Sequence, residues 1–461
     1  MPWIVLASTL FGLLSVNITF TIFNVALVRI SRDLHTTQSA LTWAITGPLL
    51  VVGIGAPTLG KIGDLRGHRK VFLFGLAGAL LCAVLTAVAW NVGSLIAARL
   101  LSGVEGSCTT VASWSLLFRV FPPAERTKTL GWWSLVGAGG PVIGVAIGGP
   151  VIQAIGWRWI FVAQAPLILL ALVVNALVLP ETETSSTESL DVPGAIVLAV
   201  AVGSLLFALN KGPTWGWSTP GVLGPLLMFP VGVAVFAAVE RRAEAPLLPL
   251  EWLHRRNFVL PCIANLAINF AYMGGFFLTP LLLERGFGYG ESHAGLLQIA
   301  RPLVFAVSAP LAGYMATRTG ERSAAVSGTA IVVLSMVVFA SLHRGAGDGL
   351  IVLALGLSGL GFGVCSPSIA ASVANAVEIE RMGSASAALQ LASQVGQVAG
   401  IQIGETIQVA REHAVGVVAS FNDAYLVAGM VAVVGVVAAA FVRGRVDRHE
   451  VPTLSPEPMI G

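Results

Sequence analysis

Long apolar stretches separated by short polar joints run the length of this chain. About fourteen of them approach the roughly 20 residues that cross a bilayer as a helix. They centre near Thr19, Val51, Leu80, Ser107, Val142, Leu169, Ala201, Val231, Gly274, Phe305, Val333, Gly361, Gln394 and Val433. Met1 to Val28 has neither a basic leading segment nor a small-residue cleavage site, so it reads as the first span and not as a removable signal peptide. The expected fold class is all-α integral membrane. Composition agrees: the chain is 56% hydrophobic and 11% charged, with a mean hydropathy of +0.85. Soluble domains are nearer 25% charged.

The joints carry the rest of the signal. GKIGDLRGHRK (Gly60 to Lys70) packs Lys61, Asp64, Arg66, Arg69 and Lys70 into one segment, with Gly60, Gly63 and Gly67 as turn and close-approach positions. A basic joint between two spans marks the cytoplasmic side. With that joint inside and the others alternating, roughly 17 of the 26 Lys and Arg fall inside and about 7 outside, leaving Arg99 and Arg301 within apolar runs. Both termini are then inside. The stretch Glu181 to Ser189 breaks the pattern with acids and no base, but acidic residues weigh little in this rule.

A second copy of the joint follows at an offset of about 253 residues. PLAGYMATRTGER (Pro310 to Arg322) matches PTLGKIGDLRGHR (Pro57 to Arg69) at Pro310, Gly313, Gly320 and Arg322, with Thr317 where Asp64 would stand. Transporters are often built from such repeated halves. Six spans do not fill that offset, and the surplus lies between Asp191 and Glu240. The expected domains are a six-helix bundle over 1–180, a linker with two additional spans over 181–257, a second bundle over 258–442 and a cytoplasmic tail over 443–461.

These features resemble the major facilitator superfamily. Gly60, Asp64, Gly67 and Arg69 match its gating loop, with His68 where a basic residue is usual. The 6 + 2 + 6 layout, with FNVAL (Phe23 to Leu27), WRWIF (Trp157 to Phe161), LDVPGA (Leu190 to Ala195) and APLLPL (Ala245 to Leu250), is similar to the fourteen-helix drug:proton antiporter branch. The resemblance implies two six-helix bundles plus two extra helices, and export in exchange for protons. It assigns Asp64 and Arg69 to an inner latch. GAGGPVIGVAIGGP (Gly137 to Pro150) resembles the antiporter signature of the fifth span at Gly140, Pro141, Gly144 and Gly148; a glycine packing face is the alternative. Relatives place an acid near Thr19 in the first span, and here it is missing.

Polar residues inside the spans are the candidate chemistry. In the fourth span Arg99 is either a buried clamp or a group that tunes neighbouring acids. Glu105 lies six residues later and points roughly 120° away, so the two form no one-turn pair; it is the second proton-coupling candidate, read as a substrate-charge or gating residue. Gln390, Gln394, Gln397 and Glu405 share one face of the thirteenth span, beside a glycine stripe at Gly396, Gly400 and Gly404. Glu405 is read as the proton carrier, or else as a solvated group at the outer helix end. Asn17, Thr21 and Asn24 form a stripe on the first span, and Asn265, Asn269, Gln298 and Arg301 are further cavity candidates.

Other chemistries find no support. The four cysteines are scattered through apolar runs, and neither a metal-ligand spacing nor a phosphate-binding loop is present. The expectation is therefore no enzyme and no cofactor beyond a proton gradient. Expected partners are a small-molecule substrate, protons and the lipid bilayer, with no nucleic acid, for a monomer. The leading function is proton-coupled efflux of small amphipathic or hydrophobic compounds. Its rivals are a dedicated exporter of one endogenous metabolite, lipid or peptide, and a non-transporting sensor or scaffold. Only four of the 26 basic residues are Lys, a bias of G+C-rich bacterial genomes, which points to a bacterial cytoplasmic membrane.

Overall fold

Apolar runs of this length satisfy their backbone in lipid only by coiling into helices. The computed structural model describes residues 2–36, 38–181, 191–243 and 246–442. Side chains at 19–22, 24–25, 27–28, 38–40, 42, 45, 124, 138, 141–153 and 291–292 are not among those described. Among the described residues there are fifteen α-helices and no strand. They are α1 (Pro2–Asp33), α2 (Gln38–Arg66), α3 (His68–Ala87), α4 (Val92–Val120), α5 (Arg126–Ile155), α6 (Arg158–Val178), α7 (Val192–Trp215) and α8 (Pro220–Glu240). After them come α9 (Arg256–Leu281), α10 (Glu291–Gln298), α11 (Ala300–Thr319), α12 (Glu321–Ala340), α13 (Asp348–Ala374), α14 (Met382–Val415) and α15 (Val417–Ala440). The short α10 and α11 form one apolar run across a break at Ile299, so the fifteen helices make fourteen helical runs. The expected linker stretch 182–190 and the tail 443–461 lie outside the described residues.

Nine stretches among the described residues are long and apolar enough to cross a membrane on composition alone. Two fully described helices fall short of that: α4, with Arg99 and Glu105, and α14, with its glutamines and glycines. Both also pack against helices of the other half: α14 against α2 and α4. Polarity has been kept where protein, not lipid, covers the helix.

The internal repeat is visible in the backbone. α3 and α12 are both 20 residues long, each begins one residue after a glycine at positive φ, and 253 residues separate them (321 − 68 = 253). Gly67 (φ 95°) and Gly320 (φ 89°) reverse the chain within a single residue, a conformation that side chains resist. The joint Gly60 to Lys70, expected as a loop, is thus almost wholly helical. α2 continues to Arg66, and only Gly67 stands outside a helix.

α1 to α6 pack mainly among themselves, as do α9 to α15. The halves meet where α2 lies on α14 and α5 lies on α11. α7 sits across the first of these seams. Its Leu206 reaches Gly53 of α2, its Gly203 faces Ile54, and Leu198, Val202 and Leu209 share one apolar cluster with Leu50 of α2 and Val398 of α14. At the far end Trp217 donates to Thr406 of α14 at 3.2 Å. α8 packs chiefly on α7 and is otherwise bare, with Leu227, Val231 and Val235 exposed.

The most extensive helix contact is that of α9 with α14, and the glycine stripe makes it. A Cβ at Gly396 would fall 2.3 Å from the Leu266 carbonyl oxygen, and one at Gly400 2.1 Å from that of Phe270. Gly400→Val is therefore expected to destabilise the protein by about 1–3 kcal/mol through overpacking. Gly224→Ala, inside α8 where nothing lies within 4 Å of the new methyl, should not lower its stability. Thermal unfolding of the two purified variants, followed by size-exclusion fluorescence, checks the contrast.

Candidate functional site

The two halves come closest at the Gly67 end. A Cβ on Gly60 would lie 2.4 Å from the Gly383 carbonyl oxygen, so only glycine lets α2 and α14 approach this far. The approach brings Asp64 over the start of α14, where the first N–H groups of any helix lack intrahelical acceptors. Gly383 N–H donates to Asp64 Oδ1 at 2.8 Å, and Ser384 N–H and Oγ donate to Oδ2 at 2.9 and 3.1 Å. His68 Nε2 stands 3.0 Å from Oδ1. Asp64 therefore caps a helix of the other half, and its negative charge meets the positive end of that helix dipole. The sequence suggests a water-accessible turn here. Asp64 is instead 4% exposed, because α2 carries it into the seam before the chain turns. Arg69 pairs with Glu181 and donates to the Ala176 carbonyl at 2.6 Å, tying α3 to the end of α6.

A second crossing occupies the pseudo-symmetric position, and its residues escaped the sequence reading. Glu321 Oε1 accepts from Thr127 Oγ1 of α5 at 3.1 Å and from Asn375 Nδ2 at 3.0 Å, and Oε2 accepts from Ser372 Oγ at 3.2 Å. Arg126, buried at the first position of α5, donates to Asn375 Oδ1 at 2.8 Å and to the Ala374 carbonyl at 3.1 Å. The signal for Glu321 was available. The 253-residue offset sets it opposite His68, whereas Thr317, opposite Asp64, is exposed and bonds only within its own helix. Backbones touch here as well: Cβ atoms on Gly131 and Gly313 would fall 2.6 Å from the Ala309 oxygen and 2.8 Å from the Thr127 oxygen.

Above these latches lies the polar face of α14. Gly396, Gly400 and Gly404 turn toward α9, and Val398 and Thr406 toward α7 and its following turn. Gln390, Gln394, Gln397 and Glu405 occupy the arc between α9 and α2. Gln394 is buried against Gly53 with its Oε1 unpartnered. Gln397 donates to Asn269 Oδ1 at 3.2 Å, Asn269 to Asn265 Oδ1 at 3.1 Å, and Asn265 to Ser393 Oγ at 2.6 Å, a ladder binding α9 to α14. Glu405 is half-buried and has no hydrogen bond or ion pair among the described residues. Aromatic pairs pack in the adjoining core, with Tyr272 stacked on Phe362 at 4.2 Å and Trp114 edge-on to Trp133 at 5.2 Å.

The remaining candidates scatter. Arg99 donates to the Ala44 carbonyl of α2 at 3.1 Å and lies 4.9 Å from the Phe23 ring, a clamp joining α4, α2 and α1. Glu105 is turned to the opposite side of α4, against Gly78 of α3, with Oε2 buried and unpartnered. Arg301 was expected in the cavity, but it is 1% exposed and points into the core of the second half. There it sits among Tyr272, Phe276 and Phe339 and reaches Thr279 Oγ1 at 3.4 Å. Gln298 bonds the Ala294 carbonyl within α10. Asn17 bonds back to the Leu13 carbonyl, and Gly140 packs on it across the α1/α5 contact. The side chains of Thr21, Asn24, Pro141, Gly144 and Gly148 lie outside the described residues. Among the described residues no three potential metal ligands converge.

Comparisons with known proteins bear on what this geometry is. The sequence model of the Major Facilitator Superfamily matches residues 9–401, with a second match over 262–459. The chain is 28% identical over 411 residues to the tetracenomycin C resistance and export protein of Streptomyces glaucescens, covering 89% of this chain and 76% of that protein. It is 28% identical over 401 residues to the multidrug resistance protein Stp of Mycobacterium tuberculosis, covering 86% and 74%. It is 27% identical over 391 residues to the methylenomycin A resistance protein of Streptomyces coelicolor, covering 85% and 82%. Among solved structures, the human organic anion transporter MFSD10 superposes with a TM-score of 0.70 at 15% identity, over 95% of this chain and 99% of that one. The proton:xylose symporter XylE gives 0.70 at 13% identity, over 96% of each. At these identities the structural likeness is one of fold.

Asp64→Asn should loosen the seam. The amide keeps one acceptor but turns an NH₂ toward a backbone N–H and removes the charge; hydrogen bonds to charged groups contribute about 1.5–3 kcal/mol. A cysteine placed at the buried Ala387, in a background lacking the native cysteines, should react with maleimide about tenfold faster or more in Asp64→Asn. An unchanged rate in a folded variant would remove the latch assignment.

Proposed function

The chain belongs to the Major Facilitator Superfamily, and we propose that it exports small amphipathic or hydrophobic compounds by alternating access, in exchange for protons. The observation that carries this reading is the pair of buried crossings at one end. Asp64 and Glu321 each bind the first turn of a helix from the other half, and the polar face of α14 continues beyond them. Closure at one end through main-chain and carboxylate contacts, with no covalent tie, suits two bodies that rock against each other. The rocking bodies in this proposal are 1–180 and 258–442. Residues 181–257 carry the extra hairpin, and 443–461 follow the second body in the sequence.

The closed end is taken as cytoplasmic, with both termini on that side of a bacterial inner membrane, because the excess of Lys and Arg lies there. Glu405 is the proposed proton carrier. It is an acid on the polar face of α14 without a hydrogen bond or ion pair among the described residues, and the first span lacks an acid near Thr19. Glu105, on the far side of α4, is the second carboxyl within the membrane and stands outside that path.

One rival keeps support: a dedicated exporter of a single endogenous compound. Two of the relatives are named for one antibiotic each, tetracenomycin C and methylenomycin A. Counterflow in proteoliposomes against a drug panel and an extract of cell metabolites separates breadth from dedication. Absence of flux for every compound, with or without a pH gradient, would support a sensor or scaffold instead.

Glu405→Gln is expected to abolish uphill, gradient-driven efflux while equilibrium substrate binding stays within about twofold of wild type. Glu105→Gln should retain gradient-driven transport. Full uphill flux in Glu405→Gln, with its pH dependence intact, would show that the carrier lies elsewhere. Cysteines along Ala195 to Leu209 of α7 should gain no protection from substrate, because that helix packs on the outside of the α2/α14 seam.

A further inference from the structure

We propose that a groove at the latch end holds one anionic phospholipid, its phosphate on Arg256 and His254 and the top of an acyl chain on the apolar wall. The groove has a volume of about 320 Å³ and is lined by Leu253, His254, Arg256, Val259, Leu260 and Phe441. Arg256 opens α9 and Phe441 closes α15, so the groove lies where the membrane core gives way to headgroups. Leu253 is 63% and Phe441 58% exposed, apolar surface that faces outward beside two basic groups.

The local charges are sorted in a way that leaves these two free. Arg255 is taken by Glu378 at 2.9 Å, and Glu251 is taken by Arg381 at 3.8 Å. Neither Arg256 nor His254 has a hydrogen bond or ion pair among the described residues. The Arg256 guanidinium is held only over the Phe441 ring, 6.0 Å from its centroid. A cation over an aromatic face keeps its N–H groups available for an outside acceptor. The wall is also rigid. Trp252 is buried and packs on Phe258 at 4.9 Å, and Arg255 ties the Leu250–His254 turn to the Ala376 carbonyl at 3.1 Å.

The chemistry selects among occupants. A phosphodiester of net charge −1 pairs with the Arg256 guanidinium and accepts from a His254 ring N–H, and its glycerol-linked chain covers Val259, Leu260 and Phe441. A zwitterionic headgroup brings its own ammonium to an already basic site. Basic pockets between membrane helices at headgroup level bind anionic lipids on these grounds.

Native mass spectrometry of the full-length protein in detergent tests this, titrating phosphatidylglycerol against phosphatidylcholine of the same chains. Wild type should prefer phosphatidylglycerol. Arg256→Gln should weaken its binding about fivefold, the value of one basic residue at a membrane surface. Arg256→Lys should recover most of that, phosphatidylcholine binding should stay constant throughout, and Arg344→Gln at the opposite end should change nothing. Equal affinity for the two lipids in wild type, or undiminished phosphatidylglycerol binding in Arg256→Gln, overturns the proposal. So does displacement of the lipid by millimolar inorganic phosphate, which would mark a site for the free anion.

Discussion

A helix that starts against protein instead of water must find acceptors for its first N–H groups, and for α14 the acceptor comes from the other half of the molecule. Asp64 supplies both carboxylate oxygens to Gly383 and Ser384. Everything near the seam serves that contact. Gly60 and Gly383 remove the side chains that would hold the helices apart, and Gly67 turns the chain at once so that His68 can return to the carboxylate. A buried carboxylate is tolerable only when fully engaged, and here four donors or potential donors surround it. The same economy recurs at Glu321, where a carboxylate, a threonine at the start of α5 and an asparagine meet. Two contacts related by the internal repeat hold one end of the molecule shut.

Much of this was legible in the sequence, and the gaps have a common physical origin. Length and hydropathy identify the spans, and glycine spacing identifies the close-packing face of α14, because both depend on one helix at a time. Periodicity likewise separates Glu105 from Arg99. It cannot say what faces each of them: rotation about a helix axis is known from sequence only relative to that helix. Arg301 was expected beside the glutamines for this reason, yet it turns into the core of its own half among aromatic rings. The glycines of the Gly60 joint suggest both a tight turn and a close approach; only Gly67 turns the chain, and Gly60 and Gly63 serve close packing within continuous helix. Glu321 was passed over because repeat copies were matched by identity, and a carboxylate four positions from its counterpart does the same work.

The additional hairpin makes the two seams unequal. α7 fills the groove between α2 and α14 from Ala195 to Trp217, using branched aliphatic side chains against both. α8 touches little besides α7 and gives its remaining surface to lipid. When α2 and α14 separate at the latch, α7 must part from one of them or bend, so the hairpin adds resistance to motion on that flank.

Two of the three donors that Asp64 receives from α14 belong to the main chain. No ordinary side-chain replacement at 383 or 384 deletes an amide N–H; only proline does. The contact is therefore genetically lopsided. On the α14 side position 384 tolerates substitution so long as the backbone can still come near, while the vulnerable codons are that of Asp64 and those of Gly60 and Gly383, where any Cβ would fall 2.4 and 2.3 Å from the facing carbonyl oxygen.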